Sequence, residues 1–165
     1  MASYLDLKSY IESLCVNHND VRHRDDEPHF FMIGLDEILT RIRSSVNFPA
    51  VFLSDYDYSF ADNKSDNILK NRSFALVFID HCQDADDYDS LAVIYDHMEK
   101  IADDFINRMH HDKNDRSHSF LKDLDLNSIN AVQFQAPDNN YGVWVPLLAT
   151  SVHDISVDNE IWSDL

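Results

Sequence analysis

The chain has 165 residues and a formal net charge of −17, from 30 acidic against 13 basic residues, and 44% of it is hydrophobic. That apolar share supports one packed core, whereas the acidity excludes a phosphate-binding surface, which needs clustered Lys and Arg. Two cysteines, Cys15 and Cys82, build no disulfide framework, and two glycines are too few for a Gly-rich phosphate loop, a dinucleotide fingerprint or a nucleophile elbow.

The opening MASYLDLKSYIESL has polar residues every few positions, so neither a signal peptide nor a membrane span is expected, and a reduced intracellular protein is. Within it Tyr4, Leu7, Ile11, Leu14 and Cys15 fall on one helical face, and Ser3 with Asp6 forms a capping box. Cys15 on that face reads as a small core residue. Residues 17–29 are charged and aperiodic and read as an exposed connection. A second helix is predicted from Leu35, Ile38, Leu39, Ile42 and Val46, with Arg41 and Arg43 on the other side.

Asn47, Phe48 and Pro49 break that helix, and Ala50 to Leu53 reads as a short strand. In the following SDYDYSF, Tyr56, Tyr58 and Phe60 alternate with Asp55, Asp57 and Ser59, which suits a strand extension or an arm. After a polar loop, SFALVFID is apolar on both alternating faces, the mark of a central strand. From Asp87 to His110, Leu91, Ile94, Tyr95, Met98, Ile101, Ala102, Phe105 and Met109 make a helical stripe, with acidic residues in the first turn.

After the polar HDKNDRSHS, AVQFQA and YGVWVPLLAT pair as an antiparallel hairpin around the turn formers Pro137 to Asn140. Pro146 has no amide hydrogen, so either its strand lies at an edge or pairing stops there. The expected fold is α+β: an antiparallel sheet of about four strands packed against a long helix, with two N-terminal helices. It occupies residues 1–150 as one domain, followed by an acidic segment over 151–165 that reads as a plain tail or a docking segment.

No residue is assigned a catalytic, cofactor-binding or metal role, and no cofactor is expected. His18, His23 and His29, with His110, His111 and His118, sit among carboxylates, but most of them fall in predicted loops rather than at fixed spacing on rigid elements. Asp86 with Asp87, and Asp103 with Asp104, are adjacent pairs whose side chains diverge on a helix and read as solvated. Tyr56, Tyr58, Phe60 and Trp162 are candidate interface anchors, joined by Tyr141, Trp144 and Pro146 of the hairpin strand.

The order of these elements, with FPAVFLSDYDYSF, NRSFALVFID, IADDFINRM and the hairpin through NNYGVWVPLL, resembles the tail terminator or tail completion proteins of tailed bacteriophages over residues 34–150. The resemblance implies a small α+β protein without catalytic residues that forms a hexameric ring with itself, caps the tail tube and joins it to the head. Its implied partners are tail tube and head–tail connector proteins, and its implied place is the virion, after synthesis in the host bacterial cytoplasm. An acidic lumen would let DNA pass without sticking. Pro146 and the tail over 151–165 depart from the family pattern. Two other readings are an acidic binding protein that mimics DNA, and a metal-dependent hydrolase built on the histidine-rich loops.

Overall fold

The computed structural model describes residues 3–40, 46–62, 64, 68–153 and 155–156. Helix α1, Tyr4–Asn17, starts on the capping box: the Ser3 hydroxyl accepts from the Asp6 amide, and the Asp6 carboxylate accepts from the Ser3 amide. Its buried face is Leu7, Tyr10, Ile11, Leu14 and Cys15. Helix α2 spans Leu35–Thr40; residues 41–45, which the second helical pattern also includes, lie outside the described residues. Helix α3, Tyr88–Asp112, is N-capped by Asp87, whose carboxylate accepts from the amides of Asp89 and Ser90.

The expected sheet needs correction. Among the described residues six strands are present rather than about four, and the sheet is mixed rather than antiparallel. Strand β1, Phe30–Met32, pairs in parallel with β2, Ala50–Asp62, while β3, Ile68–His81, runs antiparallel to β2 and to β6, Asn140–His153. Two short strands, β4 (Asp123–Leu124) and β5 (Val132–Ala136), pair antiparallel with β6. Strands β1 and β4 escape sequence reading because three and two residues show no alternation.

The sheet separates two cores. On one face α1 and α3 cover Val51, Leu53, Phe74, Leu76, Phe78, Val143, Val145 and Leu147. On the other, Ile38 of α2 packs with Ala50, Phe52, Val77, Ile79 and Ala136, beside Phe48, Phe134 and Trp144. Burial on both faces is why SFALVFID reads as continuously apolar.

Pro146 lies inside the sheet, not at its edge. It pairs with Ala75 of β3, and on the other flank the pairing with β5 stops at Trp144 and the pairing with β4 starts again at Ala149. The Leu148 carbonyl accepts from the Asp125 amide on that flank, and residues two apart direct their polar groups to the same side. The missing amide hydrogen of Pro146 therefore falls in the gap between β5 and β4 and removes no bond to β3.

Candidate functional site

Strand β2 carries a bulge. Ser54 pairs with Ala75 and Asp57 with Ser73, so Asp55 and Tyr56 both lie opposite Phe74. Asp55 takes a positive φ of 54, a conformation that Asp tolerates better than most residues, and the Ser54 hydroxyl donates to its carboxylate at 2.9 Å. The extra residue reverses the alternation. Tyr56, Tyr58 and Phe60 thus continue the face of Val51 and Leu53, the face that α1 and α3 cover lower down.

Beyond the bulge the outer parts of β2, β3 and β6 form a three-stranded arm, with Tyr58 opposite Arg72, Arg72 opposite Ala149 and Lys70 opposite Ser151. An aromatic ladder climbs it. Tyr4 of α1 meets Tyr56 at 4.5 Å between ring centroids, Tyr56 meets Tyr58 at 6.5 Å, Tyr58 meets Phe60 edge-on at 5.8 Å, and Phe60 meets the His153 ring at 4.7 Å. Tyr56 is half-buried against the core, whereas Tyr58 and Phe60 are 51% and 53% exposed.

Cations line the same face. The Lys70 ammonium stands 4.1 Å from the Tyr58 ring centroid and 5.7 Å from that of Phe60, within cation–π range. Partial burial, and then the charge of Arg72, lower the Lys70 pKa from its ordinary value. Arg72 is itself buried, and its Nη1 donates to the Ser151 hydroxyl at 2.7 Å. Such a surface, part apolar and part cationic on an acidic protein, suits an acidic protein partner.

The other interface candidates do not join this cluster. Tyr141 is buried, edge-on to Tyr95 of α3, and its hydroxyl accepts from the Gln135 side chain at 3.4 Å. Trp144 and Pro146 are half-buried, Trp144 against the second core. Trp162 lies outside the described residues. Lys70, Arg72 and His153 are the members that sequence reading missed. A signal for the first two was present: Lys70 and Arg72 are two apart, the spacing of one strand face, once β3 is extended back to Ile68.

Several histidines act as fasteners. His23 Nδ1 accepts from the backbone amides of His29 and Phe30, at 3.0 and 3.3 Å, which leaves its proton on Nε2, 3.8 Å from a Glu12 oxygen. His29 donates from Nδ1 to the Pro49 carbonyl at 2.8 Å. Both rings are buried, so the connection over 17–29 is tied to β1 and to the entry of β2. His18 pairs with Asp104 at 3.5 Å. Among the described residues no three His, Cys, Asp or Glu side chains converge as metal ligands.

Between α1 and α3 a cleft of about 210 Å³ is lined by Tyr10, His18, Asp104, Arg108, Asp112 and His118, among others. Asp112 is its anchor: Tyr10 Oη donates to it at 3.1 Å, Arg108 Nε at 2.7 Å and His111 Nδ1 at 2.9 Å. Burial opposes ionisation of Asp112, but these three donors outweigh it and hold the carboxyl below its ordinary pKa. Burial and the Asp112 charge together raise the pKa of Tyr10, so its phenol keeps its proton. The network closes on itself and joins α1 to α3. The adjacent pair Asp103 and Asp104 is exposed, as is the pair Asp86 and Asp87.

Compared with protein families and with curated proteins, the sequence matches no family model and no curated protein. No helix among the described residues is long and apolar enough to cross a membrane.

Proposed function

We propose that the chain is a non-enzymatic structural protein of a phage or prophage tail, which assembles with itself into a ring at the head–tail junction or at the end of the tail tube. The observation that carries this reading is the exposed aromatic and cationic face of the β2–β3 arm on a body of net charge −17. An arm with solvent-facing Tyr58 and Phe60 gains stability when a partner covers it. The acidic remainder suits a channel along which DNA moves without being held. On this reading the partners are further copies, a hexamer being the size that the family resemblance implies, with tail tube and connector proteins above and below.

The test is the mass of the purified protein by light scattering over a wide concentration range, alone and with a candidate tail tube protein. Ring-sized mass is the expected result. A strict monomer in both cases counts against the assembly reading.

One observation favours a second reading, an acidic module that occupies the basic cleft of a nucleic-acid enzyme. Asp89, Asp96, Glu99 and Asp103 are exposed along α3 at helical spacings of three, four and seven, a row of carboxylates on one side. Binding lost at moderate salt supports it; binding indifferent to salt opposes it.

A further inference from the structure

Two of the surfaces that the described residues present lie at opposite ends of β3. One is the arm face of Tyr58, Phe60 and Lys70 described above. The other begins where β3 ends. There His81 and Cys82 lead into the first turns of α3, beside a groove of about 550 Å³ whose apolar side is Val93 and Ile94 and whose acidic side is Asp84, Asp87 and Asp89. Tyr88, 79% exposed, and Val93, 68% exposed, leave large apolar surface there uncovered.

The two are complementary: aromatic rings with a cation against apolar side chains among carboxylates. They cannot meet within one molecule. From Lys70 to His81 the strand runs roughly 36 Å at about 3.3 Å per residue, far beyond the reach of a lysine. A body of net charge −17 also repels its own copies, so a self-contact in which a cationic surface meets an acidic one is favoured over one between two acidic faces.

We infer that the arm of one copy docks in the groove over residues 81–94 of a second copy, with Lys70 among Asp84 and Asp89, and Tyr58 and Phe60 against Tyr88 and Val93. The contact joins two different surfaces, so each copy has one arm to give and one groove to fill. Repeated around an axis, such a head-to-tail contact closes into a ring. This inference rests on the assembly reading and specifies its interface.

The test uses two variants of the full chain. One has a blocked arm, Tyr58→Ala with Lys70→Ser; the other has a blocked groove, Asp89→Lys with Val93→Ser. All four positions are side chains on the surface of formed elements, and circular dichroism with thermal melting checks that both variants fold. Each variant alone is expected to associate at least roughly 30-fold more weakly than the parent chain, the effect of losing one interface hot spot. Mixed, they are expected to stop at one-to-one pairs, because one intact groove meets one intact arm. A groove-blocked variant that assembles like the parent overturns the inference and leaves the ring reading standing. A parent chain that stays monomeric throughout removes both. Should either variant fail to fold, a photo-crosslinking benzophenone at position 60 of the otherwise unchanged chain decides the matter. Capture of a peptide within 81–94 supports the contact, and capture of a second arm or of any other segment overturns it.

Discussion

Gly142 of β6 lies so close to β3 that a Cβ added to it would stand 1.8 Å from the carbonyl oxygen of Phe78 and 2.9 Å from the Cα of Ile79. The obstacle is backbone in the centre of the sheet, so it cannot swing aside as a side-chain end would. Gly142→Ala is expected to destabilise the fold by about 3 kcal/mol, the upper end of the overpacking range. Gly34, with nothing within 4 Å of the same added atom, is the control; Gly34→Ala is expected to stay within about 1 kcal/mol. Urea titration of the two variants beside the parent chain checks both, and equal midpoints would refute the close-approach account.

Tyr58 and Phe60 are half exposed and sit beyond the core, so removing them together should hardly touch folding. The double variant Tyr58→Ala, Phe60→Ala is expected to unfold within about 1 kcal/mol of the parent, the loss of a surface cation–π contact with Lys70 included. Its self-association should fall steeply. Sedimentation velocity next to thermal unfolding separates the two effects. A large drop in stability with unchanged association would make the ladder a folding element rather than an interface.

Helices α1 and α3 were legible in the sequence because their apolar residues recur at helical spacing over many turns, and SFALVFID was legible because both of its faces are buried. The arm was half legible. Tyr56, Tyr58 and Phe60 announce a strand face, but which side of the sheet they occupy depends on the bulge at Asp55, and one inserted residue leaves no periodic trace. Pro146 left two readings open, an edge strand or a stop in the pairing, because the rule about its missing donor does not say which neighbour loses the bond; the second holds on one flank, as a gap between two short strands. His23 and His29 lie in the loop where the sequence puts them, but they are buried there, and nothing in a run of charged side chains tells which ring turns inward to accept or donate backbone bonds.

His23 offers a direct check on that fastening role. Two backbone amides donate to its Nδ1, and removal of the ring leaves them in a buried place without their acceptor. His23→Ala is expected to cost about 1–3 kcal/mol, the range for stranding buried donors. His23→Asn, whose side-chain oxygen can accept in a similar position, is expected to recover part of that loss. Chemical denaturation of the three proteins reads it out. Equal losses for Ala and Asn would show that ring packing against Phe30, rather than hydrogen bonding, is what matters.

Asp112 sets a pH dependence whose sign follows from its environment. Its carboxyl is buried, yet Tyr10, Arg108 and His111 all donate to it, and the net effect is a folded-state pKa below the ordinary 3.8. A carboxylate depressed in this way stabilises the fold fully above its unfolded value, and the contribution disappears as the pH falls through the folded one. Stability of the parent chain is therefore expected to decline from about pH 4 downward, while Asp112→Asn should start less stable at neutral pH and show a shallower decline over the same interval. Thermal unfolding at closely spaced pH values compares the two slopes, and parallel curves would mean that Asp112 carries none of the acid sensitivity of the joint between α1 and α3.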